Sequence, residues 1–126
     1  MIRGVVTGNL EAWVDLAVVS VDHPAVGFSA VIDTGFSDFL TLPIVVLEKF
    51  YAVPLNRVMV TLADGREIIS RLFELTVLWD GQPITIEVHA AETEPLVGMA
   101  LLNGYDVQMR VVPDGEVTIQ SITDNS

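Results

Sequence analysis

Apolar and polar positions follow a period of two along much of the chain. Residues 12–21 alternate in part and are rich in Val, Leu and Ala, and residues 26–32 form a second β-branched run. Residues 57–62, 67–79, 84–90, 105–112 and 116–122 follow the same rule, so each is expected as a strand. Turn signals separate these runs: Asp22-His23-Pro24, Asp64-Gly65, Asp80-Gly81 and Pro113-Asp114-Gly115. Gly, and Asp at small cost, accepts the positive φ of tight hairpins, so the three Asp-Gly pairs predict three hairpins. Two short stretches break the period. Residues 42–50 place Pro43 near a first helical turn, and residues 99–103 read as one short helix stopped by Asn103-Gly104. No Ser-, Gly- or Pro-rich linker divides the chain, so one domain is expected over residues 1–126, with Thr123-Asp124-Asn125-Ser126 fraying at the end.

Composition narrows the picture. Hydrophobic residues make up 51% and mean hydropathy is +0.53, which excludes disorder and implies an apolar surface needing cover, such as a subunit interface. Apolar runs such as residues 95–102 are far too short to span a bilayer, and no secretory signal is evident. Cysteine is absent, which rules out thiol catalysis and disulfides and fits a reducing, cytoplasmic setting. The net charge of −11 disfavours nucleic acid and anionic membrane surfaces, whose recognition rests on Lys and Arg.

The chemistry concentrates at Val31-Ile32-Asp33-Thr34-Gly35. Asp-Thr-Gly arises by chance in about 2–3% of chains of this length, and its plain reading is a turn in which Asp33 bonds its own backbone. Here the acid follows a β-branched strand end and precedes Phe36, Phe39, Leu40 and Leu42. A carboxylate held near an apolar interior must find a partner or shift its pKa. Later in the chain, Pro95-Leu96-Val97-Gly98-Met99 echoes the apolar pair, the Gly and the following helix.

Asp33-Thr34-Gly35, with Ser37 and then Phe39-Leu40-Thr41-Leu42-Pro43, resembles the active-site loop of aspartic proteases. Leu96-Val97-Gly98 resembles that family's second signature, and Asp64-Gly65 sits between the two where the family has its flap hairpin. Order and spacing are similar to those of single-domain, retropepsin-like members over roughly residues 10–120. The resemblance implies an all-β, closed, retropepsin-like barrel with a short C-terminal helix. It implies a homodimer, because the chain carries one Asp-Thr-Gly where pepsin-like enzymes carry two. It implies an aspartic endopeptidase acting on a peptide or protein substrate, without metal or cofactor. In that family two carboxylates about 3 Å apart share one proton, one serving as base toward water and the other as acid toward the peptide carbonyl.

The same resemblance gives Asp33 the catalytic role, Thr34 a bond across the two-fold axis, and Gly35 close backbone approach. Asp64 and Gly65 would lie at the flap tip over the substrate, and Leu96, Val97 and Gly98 would pack around the active-site loop. Phe36 departs from the family pattern, which has a small residue there, and is expected to crowd the site. Ala100 stands where many relatives have a polar residue. A non-catalytic dimerisation or peptide-binding module with the same fold is the alternative, and a self-processing segment of a longer precursor is a third reading. His23 and His89 are expected as turn or sheet-face residues, Glu87, Glu92 and Glu94 as a solvated acidic patch, and Trp13 and Trp79 as core or interface.

Overall fold

The computed structural model describes residues 1–122, so the tail expected to fray lies outside the described residues. In chain order the elements are β1 (Ile2–Val6), β2 (Ala12–Val18), β3 (Val26–Ile32), β4 (Leu40–Leu42), α1 (Ile44–Lys49), β5 (Val53–Thr61), β6 (Glu67–Trp79), β7 (Gln82–Ala90), β8 (Leu96–Val97), α2 (Met99–Leu102), β9 (Tyr105–Met109) and β10 (Glu116–Ser121).

All three Asp-Gly pairs close hairpins. Gly65 (φ 87°) turns β5 into β6; Asp80 (φ 51°) and Gly81 (φ 78°) turn β6 into β7; Asp114 (φ 64°) lies in the connection from β9 to β10. Two positive φ values in succession, as at Asp80-Gly81, match the right-handed twist of the flanking strands.

The strands run β5-β6-β7-β4-β8-β3-β2-β1-β10-β9, and β6 also pairs with β2. That extra pairing, Ala17 with Leu78 and Val18 with Val77, closes a ring of β6, β7, β4, β8, β3 and β2. The result is the closed, mostly antiparallel barrel expected from the sequence. Two parallel pairings interrupt it, β3 with β8 and β4 with β7. Alternation drives closure: Val14, Leu16 and Val18 point inward from β2, while Asp15 points out and accepts a hydrogen bond from Ser29 Oγ on β3 at 2.6 Å. Leu40, Leu42, Leu47, Val77, Val88, Val97 and Ile119 are all fully buried. Removing each such side chain from water contributes roughly 1.5–3 kcal/mol.

Four elements differ from expectation. Strand β1 was not foreseen, because Arg3 and Gly4 break its short pattern; it is fixed by pairing with β2 and β10, and a Cβ at Gly4 would meet the Trp13 carbonyl. Strand β4 is three residues long, too short for periodicity to register. The helix expected from residue 42 begins at Ile44, since Leu42 belongs to β4 and Pro43 takes an extended ψ of 147° at the N-cap. The expected strand 105–112 stops at Met109, where the chain turns ahead of Pro113.

Candidate active site

Asp33 directly follows β3, and its backbone is held by the strand that carries the second signature. Val31 N–H donates to Pro95 O at 2.8 Å, and Asp33 N–H donates to Val97 O at 2.9 Å. Strand β8 is wedged between β3 and β4: Val31 and Ile32 face Leu96 and Val97 in parallel, while Leu40 and Thr41 face Val97 and Leu96 antiparallel. Two neighbouring segments, β3 and β4, are thus tied along both sides of one dipeptide that lies far from them in sequence. Buried Thr41 adds a bond, its Oγ1 accepting from Leu96 N–H at 3.0 Å.

Past β8, the loop after Asp33 takes up the next backbone donors. Gly98 N–H donates to Phe39 O at 3.0 Å, Met99 N–H to Phe36 O at 2.8 Å and Ala100 N–H to Asp38 O at 3.2 Å. Gly98 makes this possible. A Cβ there would strike the Asp38 carbonyl and both the ring and carbonyl of Phe36. Its own φ of −102° suits any residue, so the requirement is for space.

Asp33 as a residue is half-buried. Its Oδ1 accepts from Gly35 N–H at 2.9 Å, and its carbonyl accepts from Phe36 N–H at 3.1 Å, which is the local turn that Asp and Gly favour. A Cβ on Gly35 would lie 3.2 Å from Asp33 Oδ1, so glycine eases the carboxylate's approach to the backbone. Thr34 is exposed on an open groove of about 590 Å³, shared with Ser37, Met99, Leu102, Tyr105 and Val107.

Phe36, expected to crowd the site, lies on Gly98 and meets His89 edge-on, ring centroids 5.9 Å apart. His89 is the residue whose part went unforeseen. It lies on β7 as a sheet-face residue should, but both ring nitrogens are engaged. Nε2 is 2.8 Å from Asp38 Oδ2, and Nδ1 is 3.0 Å from Ser70 Oγ on β6. No local signal links residues 38, 70 and 89; parallel pairing of β4 with β7, and of β6 beside β7, brings them together.

Asp64 and Gly65 form the tip of the β5–β6 hairpin. Asp64 accepts from Arg66 N–H at 3.0 Å and from Arg66 Nε at 2.6 Å, both local to the turn. Along the hairpin Val58 pairs with Ser70 and Val60 with Ile68, so these four share the face that carries Ser70 toward His89. Met59 and Ile69 face away and are each 61% exposed. Among the described residues no group of three or more His, Asp, Glu or Cys is arranged to hold a metal, and no helix is long and apolar enough to cross a membrane.

No protein-family model matches the chain, and no curated protein matches it by sequence. By fold it is similar to a retropepsin-like aspartic protease from Rickettsia conorii, with a TM-score of 0.58 and 17% identity over 94% of this chain and 89% of that one. At this identity the likeness establishes the fold.

Proposed function

We propose that this chain is one half of a homodimeric aspartic endopeptidase in which Asp33 is the catalytic carboxylate. The observation that carries the reading is the lock between the Asp-Thr-Gly loop and Leu96-Val97-Gly98: a carboxylate at a strand end, on a loop tied at both its ends to that segment's backbone, in a retropepsin-like barrel. Such a lock is what acid–base work requires, because the carboxylate must stay aligned while a proton moves.

One chain supplies one such loop, so the paired site needs a second copy. Two Asp33 carboxylates meeting near a two-fold axis would hold a single proton between them, since two adjacent negative charges repel. The ionised member takes a proton from water as that water adds to the peptide carbonyl, and the protonated member gives its proton to the carbonyl oxygen. The gem-diol then collapses as the first carboxylate passes its proton to the amine nitrogen and the C–N bond breaks, while a diol hydroxyl returns a proton to the second carboxylate. The groove beside Thr34, and exposed Met99 (47%) close to it, offer apolar surface for the second copy. Val58, Val60 and Ile68 on the inner face of the hairpin, with Asp64 and Gly65 at its tip, would cover an extended peptide.

The alternative is a non-catalytic dimerisation or peptide-binding module of the same fold. The bond from Gly35 N–H to Asp33 Oδ1 favours it, because that bond gives the carboxylate a purely local purpose. Digestion of a mixed peptide library between pH 3.5 and 7, wild type beside Asp33→Asn, separates the two, with molar mass followed by light scattering. Cleavage by the wild type alone supports the endopeptidase. A well-folded dimer that cleaves nothing supports the module, and a monomer at all concentrations removes the shared dyad.

A further inference from the structure

His89 joins two parts of the molecule that a covering hairpin must coordinate. Asp38 sits in the loop five positions after Asp33, and Ser70 sits on β6, the returning strand of the hairpin. The His89 side chain is 13% exposed, against 58% for Asp38, and Ser70 is 8% exposed. The ring is therefore a largely covered bridge between a strand and a loop rim.

Chemistry orients the bridge. An ionised Asp38 only accepts, so His89 Nε2 must carry the hydrogen of the 2.8 Å contact. In the neutral ring Nδ1 is then a lone pair, and it accepts from the Ser70 hydroxyl at 3.0 Å. The polarity runs one way, from Ser70 through His89 to Asp38. Phe36 closes one side of the ring edge-on, and the Asp38 carbonyl in turn accepts from Ala100 N–H. Moving Ser70 therefore pulls on the loop that carries Asp33, and the reverse holds.

The geometry points to His89 as a positioning residue that couples the seating of the β5–β6 hairpin to the loop after Asp33. It deepens the endopeptidase reading and rests on it only for the kinetic part of its test. The coupling itself is a property of the folded chain.

The chain has two histidines, so imidazole nitrogen NMR of the full-length protein resolves His89 once His23→Gln assigns the other signal. In the neutral ring a single tautomer with hydrogen on Nε2 is expected, and the preference should be lost on Asp38→Leu, which removes the acceptor. Amide hydrogen exchange is then compared among wild type, Ser70→Ala, His89→Phe and His89→Gln. Loss of a hydrogen bond to a charged group corresponds to about tenfold or more, so His89→Phe should raise exchange in residues 34–38 by about tenfold. Ser70→Ala should raise it in the same loop from across the site, with residues 14–18 unchanged. His89→Gln can donate to Asp38 and accept from Ser70, and should recover most of the protection.

If a peptide substrate is cleaved, His89→Phe should raise KM more than it lowers kcat, as expected when closure over substrate is impaired. Mixed tautomers at His89, or a loop indifferent to Ser70→Ala, would overturn the coupling whether or not the protein cleaves peptides. If His89→Phe fails to fold, Ser70→Ala and the NMR measurement still decide it. Absence of cleavage with the coupling intact counts against the endopeptidase alone.

Discussion

The loop cradle around Asp33 and the distal β5–β6 hairpin are both built from short apolar strands and a glycine, yet they are held in opposite ways. Leu40, Leu42 and Val97 in the cradle are fully buried, and each β8 residue has neighbours on both sides. Residues 53–69 of the hairpin are exposed or half-buried throughout, and β5 is an edge strand that pairs with β6. Buried bonds with neighbours on every side open only with the whole fold, whereas an exposed two-stranded arm opens locally. A rigid support for a carboxylate beside an adaptable cover is what a site that must admit and enclose a peptide requires.

Substitutions test this contrast, beginning with the strongest. On the proposed endopeptidase reading, Asp33→Asn should lower peptide hydrolysis by about 10²–10⁴-fold, the usual contribution of general acid–base groups. Its amide oxygen can still accept from Gly35 N–H, so the thermal midpoint should barely move; a large drop would assign Asp33 a structural role instead. Gly98→Ala should cost about 3 kcal/mol in urea unfolding, because the added methyl meets backbone carbonyls that cannot yield cheaply. An unchanged midpoint would mean that the cradle is looser than its contacts imply.

Thr41→Val removes the acceptor of the Leu96 N–H and leaves a buried donor unpaired, for an expected loss of about 1–3 kcal/mol. Gly65→Ala is the weakest change and the direct counterpart of Gly98→Ala. Space at Gly65 is open, with nothing within 4 Å of an added Cβ, but its φ of 87° disfavours a side chain by about 1 kcal/mol. Hydrogen exchange should rise in residues 57–70 alone. Faster exchange at β8 as well would show that hairpin and cradle are not separable.

Much of this could be read along the chain. Alternation located most strands, the Asp-Gly pairs located the hairpins, and the Leu-Val-Gly echo marked the dipeptide that supports Asp33. Phe36 reads differently in sequence and in space. As a large residue after Asp-Thr-Gly it is expected to crowd the site, and in space the missing Cβ at Gly98, just past β8, leaves room for its ring. A glycine's value to a residue so distant in the chain leaves no trace in periodicity.

His89 marks the same boundary. Its strand was evident because strand signals are local, arising from side-chain alternation and turn chemistry within a few residues. Its partners were not, because a hydrogen bond between residues 38, 70 and 89 depends on which strands become neighbours and in what register. The sequence alone determined the β character, the turns and the identity of the carboxylate-bearing loop. The tertiary structure decided how β8 slots between β3 and β4, how β6 closes onto β2, and therefore which polar side chains meet beside Asp33; those are long-range pairings, set by burying all the apolar faces at once.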